Sequence, residues 1–158
     1  MRLIKAALIL SAVLAPWSVA NAKTATIYII RHLDTPEGQQ DPELTAKGQE
    51  RAKMLVRWFR GKKLSAVYLT EFRRTRQTVA PLIATRGLTP KVYSPTDPAA
   101  LLTRVRGESG PVLIVGHSNT VPELVERAGG ERPKPLTHPD FGDIWTVRSE
   151  FAHDRIGE

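Results

Sequence analysis

Two short apolar runs, each leading into a histidine, restrict this chain more than any other feature. Thr26-Ile27-Tyr28-Ile29-Ile30 and Val112-Leu113-Ile114-Val115 are continuous aliphatic and aromatic segments rich in β-branched residues, without polar alternation. That is the pattern of strands buried on both faces. Such strands need helices above and below them, and the intervening sequence supplies candidates. Thr45 is placed to cap a helix whose Ala52, Leu55, Val56 and Phe59 recur at helical spacing, ending near Gly61. Ala66 to Leu69 reads as a second strand. Arg74 to Thr85 reads as a helix with Val79, Leu82 and Ile83 on one face and Gly87 past its end; Pro81 inside it predicts a kink or a late start. Lys91-Val92-Tyr93 is a short strand, and Pro98 opens a short helix through Val105. The strand at 112–115 runs into a helix with Pro122 in its first turn and Gly129-Gly130 at its end. Asp143 to Val147 reads as the final strand. Strands alternating with helices predict an α/β three-layer sandwich with a mostly parallel central sheet.

The start of the chain has a different character. Arg2 and Lys5 precede an apolar stretch from Ala6 to Val19, and Ala20-Asn21-Ala22 carries small residues where an export peptidase cuts. This pattern predicts a signal peptide over residues 1–22, a mature domain over residues 23–158 and a periplasmic location. A retained anchor is the alternative; the apolar run is shorter than the roughly 20 residues a bilayer needs, and Pro16 interrupts it. No stable membrane insertion is expected after the signal is removed. The chain has no cysteine, which excludes a disulfide framework, a thiolate zinc site and a cysteine nucleophile. Without Arg2 and Lys5, 21 basic residues stand against 16 acidic ones. That excess attracts anions, but no basic tail or aromatic-interleaved patch marks a nucleic-acid partner.

Chemistry concentrates at the ends of the two apolar strands. In open α/β sheets, ligands bind beyond the carboxyl ends of the strands. His32, directly after Arg31, and His117 would both face that crevice. The arginine cluster Arg73, Arg74 and Arg76 follows the second strand and adds charge there. Guanidinium forks match phosphate oxygens, and a neutral imidazole can attack phosphorus.

Four segments make the pattern specific. Arg31-His32-Leu33-Asp34-Thr35 resembles the R-H-G-E-T motif of the histidine phosphatase (phosphoglycerate mutase-like) superfamily. Leu44-Thr45-x-x-Gly48 resembles its L-T-x-x-G helix start. Thr70 to Thr78 is similar to its S-P-L-x-R-A-x-Q-T segment, and Gly116-His117-Ser118 to its second-histidine motif. The four come in family order across nearly the whole mature chain. The resemblance implies a phosphoglycerate mutase-like fold and a phosphatase acting on a small phosphorylated substrate, with no cofactor and no metal. It implies His32 as the nucleophile, with Arg31, Arg74 and His117 as catalytic groups that bind the phosphoryl oxygens. Asn119 either adds a substrate hydrogen bond or caps the following helix.

Three carboxylates compete as the proton donor: Asp34, Asp97 and Glu71, with Asp34 favoured. Leu33, where relatives carry a small residue, is expected to narrow or reshape the pocket. His138 and His153 read as surface residues. A phosphohistidine phosphatase and a non-catalytic phosphate-binding module are the alternative readings.

Overall fold

The computed structural model describes residues 25–148 and 152–157; the expected signal peptide, 1–22, lies outside them. Its strands and helices, in chain order, are β1 (Ile27–Arg31), α1 (Ala46–Trp58), β2 (Ala66–Leu69), α2 (Arg73–Arg86), β3 (Lys91–Val92), α3 (Pro98–Arg106), β4 (Val112–Gly116), α4 (Val121–Ala128), β5 (Asp143–Val147) and β6 (Ala152–Arg155). One sheet holds all the strands in the order β3-β2-β4-β1-β5-β6. The first four in that order run parallel, while β5 and β6 are antiparallel to their neighbours.

The continuous apolar runs became the two central strands because both faces are covered. Ile27 and Ile29 of β1 join Val112 and Ile114 of β4 in a core against α3 and α4. Tyr28, Ile30, Leu113 and Val115 point the other way, against α1 and α2. The period-two alternation of a strand thus divides one apolar run between two cores, giving the three layers expected.

Two departures from the sequence reading stand out. Asp143–Val147 is not the last strand: Ala152–Arg155 pairs with it as an antiparallel edge. And α2 does not start late: it runs from Arg73 to Arg86 with Pro81 inside it.

The loop after β1 is held by the start of α1. Thr45 Oγ1 accepts from the Gly48 amide at 3.1 Å, capping the helix, and the Thr45 amide donates to the Asp34 carbonyl at 2.9 Å. Gly48 then lies so close to that loop that a Cβ would fall 2.5 Å from the Asp34 carbonyl oxygen. The glycine is there for contact, since α1 and the loop can approach this closely only without a side chain. Gly48→Ala should therefore destabilise the fold by about 1–3 kcal/mol through overpacking and displace residues 33–35. Urea unfolding with and without bound phosphate measures this, and a variant as stable as the parent would contradict it.

Candidate active site

The register of β1 against β4 brings the two histidines together. Arg31 pairs with Gly116 in the parallel ladder, and the His32 amide donates to the Gly116 carbonyl at 2.9 Å. The imidazoles emerge side by side with ring centroids 5.4 Å apart, and both residues are buried.

Each ring is oriented by a hydrogen bond that fixes where its proton sits. His32 Nδ1 lies 2.9 Å from the Leu33 carbonyl. A carbonyl only accepts, so Nδ1 carries the hydrogen and Nε2 keeps a bare lone pair. On the other ring, the Thr75 hydroxyl donates to the carbonyls of Thr70 and Phe72, each at 2.8 Å. The Thr70 hydroxyl, 3.2 Å from Thr75 Oγ1, donates to it and in turn accepts from His117 Nε2 at 3.0 Å. His117 Nδ1 is buried with no partner among the described residues.

The two arginines are anchored in the same way. Arg31 Nη1 donates to the carbonyls of Thr137 and Asp140 at 2.7 and 3.0 Å, while its guanidinium lies 4.0 Å from the centre of the Phe141 ring. Arg74 Nη1 donates to the Gln40 carbonyl at 3.2 Å and to Asp41 Oδ1 at 3.4 Å, with its guanidinium over Phe72 at 4.2 Å. In both, one nitrogen is spent on the protein, and Nε and Nη2 have no partner among the described residues. That edge of a guanidinium is the fork that takes two oxygens of one anion. Arg73 and Arg76 are turned elsewhere, to Asp41 and Glu43 and to the Glu71 carbonyl, so the cluster contributes Arg74 alone.

The electrostatics record the convergence. Burial pushes His32 down to about 3, with Arg31, His117 and Arg74 pushing the same way against the Leu33 hydrogen bond. His117 falls to about 4 by burial and then by Arg74 and Arg31, with Asp41 opposing. Both rings are neutral at physiological pH, beside two cations. Among the described residues no group of three or more His, Asp or Glu side chains is placed to hold a metal ion.

The remaining expected residues divide. Both oxygens of Asp34 accept from Arg51 Nη1, at 2.9 and 3.1 Å, and the same nitrogen reaches the Phe141 carbonyl at 3.1 Å. The buried Asp34 carboxylate thereby ties α1 to the strip under Arg31. Asp97 caps α3 by accepting from the Ala100 amide at 2.9 Å. Asn119 is exposed and makes no side-chain hydrogen bond. The cap of α4 is Thr120, and Asn119 lines a separate cavity with Ser118 and Arg132, so the expected cap does not form. Leu33 turns away from the pocket into the α1–α2 core; its size fills the interior and leaves the pocket unobstructed. His138 is a surface residue as expected, but it is anchored to the Thr35 carbonyl at 2.9 Å. His153 is half-exposed, stacked on Trp145 and bonded to Asp143.

Sequence reasoning gave no role to Arg51, Thr70, Phe72, Gln77, Thr78 or Phe141. Gln77 and Thr78 were visible within the arginine-containing segment. Gln77 Oε1 accepts from the Leu44 amide at 2.8 Å and Thr78 Oγ1 from the Leu33 amide at 2.9 Å, so one turn of α2 grips two loops.

Residues 27–95 match the family model described as the histidine phosphatase superfamily (branch 1). Over that stretch, just under half of the chain, the sequence is similar to the histidine phosphatase superfamily. Solved structures share its phosphoglycerate mutase-like fold. The protein histidine phosphatase SixA in complex with tungstate superposes with a TM-score of 0.63 at 19% identity, over 82% of this chain and 94% of that one. A putative phosphohistidine phosphatase SixA from Agrobacterium tumefaciens gives 0.65 at 16% identity, over 85% and 99%. The alpha-ribazole phosphatase from Shigella flexneri gives 0.61 at 17% identity, over 77% and 89%. No curated protein sequence matches the chain.

For an oxyanion bound here, the unpartnered Nδ1 of His117 would make affinity pH-dependent in a defined direction. It can donate to an oxyanion only when protonated, and a bound anion stabilises that form. Oxyanion affinity should rise as pH falls from 7 toward the free value near 4, by at most about tenfold per pH unit for one linked proton. Sulfate, a dianion throughout this range, is the suitable probe in calorimetric titrations. Affinity that stays flat between pH 7 and 4.5 would remove His117 from the anion site.

Proposed function

We propose that this protein is a phosphomonoester hydrolase working through a phosphohistidine on His32, without a metal. The observation that carries the reading is the bare Nε2 of His32 beside His117 and two guanidinium edges without internal partners. A neutral imidazole with its lone pair free is a nucleophile, and preorganised donors stabilise the charge that develops on the transferring oxygens.

In this reading Nε2 attacks phosphorus as the bond to the leaving oxygen breaks. The phosphoryl oxygens lie against Arg31, Arg74 and protonated His117. The leaving oxygen takes a proton, and the group that gave it then removes one from water. That water attacks phosphorus, the N–P bond breaks, and inorganic phosphate and free His32 result. Of the three carboxylates considered, Asp34 and Asp97 have oxygens committed to Arg51 and to the α3 cap. Glu71, whose side chain has no partner among the described residues and which lines one cavity with Thr70 and Phe72, is the donor in this reading. Asp34 is then a positioning residue.

The reading includes export of residues 23–158 after removal of 1–22, and a small phosphorylated metabolite or envelope sugar as substrate. A phosphohistidine substrate is the second reading, supported by the similarity in fold to proteins named SixA. It needs no acid from the protein, because a phosphohistidine ring takes a proton from solvent at its far nitrogen and then leaves as neutral imidazole when the N–P bond breaks.

The purified domain should hydrolyse an aryl phosphate in excess chelator and be inhibited by vanadate. His32→Ala should lower kcat by at least about a thousandfold while leaving the circular dichroism unchanged. Activity that vanishes with chelator and returns with zinc, or that survives in His32→Ala, would overturn the mechanism. Glu71→Gln should slow an alkyl phosphate by about 10²–10⁴-fold, the usual worth of a positioned acid, and slow an aryl phosphate far less. Equal effects on both would take the proton transfer away from Glu71.

A further inference from the structure

From the proposed hydrolase reading we infer that the substrate's leaving group is apolar and occupies the cavity between the ends of β2 and β3. Its volume is about 500 Å³, and Phe72 and Val92 stand in its wall. These are the large hydrophobic side chains left exposed among the described residues, at 36% and 37%. Two such groups meeting in one concavity mark a binding surface, since single exposed apolar residues are ordinary and clustered ones are not.

The sheet order places this cavity where an in-line displacement needs it. At the carboxyl ends of the parallel strands, His32 follows β1, His117 follows β4, Thr70 follows β2, and Val92 ends β3. These are successive neighbours in the sheet, so β2 and β3 lie two and three strand spacings from β1, roughly 10 and 14 Å. A phosphoryl group held at His32 and His117 has its leaving oxygen on the side away from the nucleophile, toward β2. Phe72 is the common wall: it meets the His117 ring edge-on at 5.2 Å and lies under Arg74, while also facing the cavity.

Most polar groups of the wall are already used, and the free Nε and Nη2 of Arg104 are the donors left over. Thr70 is committed to His117 and Thr75, and the Tyr93 hydroxyl donates to the Val115 carbonyl at 3.1 Å. The Ser94 hydroxyl bonds Thr96 Oγ1 at 2.8 Å, and Arg104 Nη1 donates to the Val92 carbonyl at 3.0 Å. Only Glu71 has a side chain without an internal partner, and it has the proposed proton to deliver. A polyol entering here would give up its hydration for few new hydrogen bonds, which is unfavourable. An alkyl or aryl group loses nothing of that kind and covers Phe72 and Val92. The substrate class that fits is a phosphomonoester of an apolar alcohol.

The test uses primary alkyl phosphates from ethyl to hexyl, together with glycerol phosphate. Their alcohols leave with comparable difficulty, so differences in kcat/KM report binding of the leaving group. Each buried methylene is worth about fourfold, so hexyl phosphate should exceed ethyl phosphate by on the order of tenfold or more, and propyl phosphate should exceed glycerol phosphate. Val92→Asn should bring the hexyl-to-ethyl ratio close to one; Val92→Ser, a second variant at this exposed edge strand, should do the same. A flat series in the wild type, a preference for glycerol phosphate, or a ratio that survives both variants would overturn the assignment of the cavity. Failure of the wild type to turn over any ester in the set, aryl phosphate included, would instead overturn the hydrolase reading beneath it.

Discussion

The pairing of β1 with β4 governs this molecule. Because Arg31 stands opposite Gly116 and the His32 amide bonds the Gly116 carbonyl, two residues 85 positions apart in the chain present their rings to each other. A slip of one residue in a strand exchanges its two faces. Here it would move Ile29 and Ile114 into the wrong core and separate the imidazoles at once. The packing that holds the fold and the geometry that makes the site are therefore one constraint, enforced by the apolar alternation on both faces of the sheet.

Around that pair, the protein spends its backbone carbonyls on holding cations and tautomers. The Leu33 carbonyl fixes His32; those of Thr137, Asp140 and Gln40 hold one nitrogen of each arginine. Neutral oxygens can orient a guanidinium without cancelling its charge as a nearby carboxylate would. The site is left positive, with guanidinium donors that have no partner among the described residues. Asp41 pairs with Arg74 at 3.4 Å and offsets part of its charge, while Asp34 is drawn off by Arg51.

How far the sequence disclosed this depends on where each residue's partners lie. Arg31, His32 and His117 were legible because each ends or directly follows a strand, and parallel strands deliver their termini to one edge; Arg74, in the first turn of α2, was legible from the segment that follows β2. The two central strands and the capped α1 were legible from local pattern. Arg51 was not, since a buried arginine on an amphipathic helix reads as a solvated one until Asp34 and the Phe141 carbonyl are placed beside it. Leu33 misled for a related reason: its position after the histidine pointed to the pocket, whereas the backbone turns it into the α1–α2 core. The edge strand β6 escaped because Ala152-His153-Asp154-Arg155 has neither apolar alternation nor β-branched residues; pairing to β5 and the stacking of His153 on Trp145 create it.

One consequence follows from the crowding of two cations beside two buried, neutral rings. Two guanidiniums and two imidazoles that burial keeps from charging form a patch that water would hydrate better than the protein does. Free energy gained in the apolar layers is held there in reserve. A chain optimised for robustness alone would replace His117, whose Nδ1 is buried without a partner among the described residues, with an aliphatic residue and become sturdier. An oxyanion arriving there would supply the missing partners and act as a keystone, completing an arch that the polypeptide builds with one stone missing.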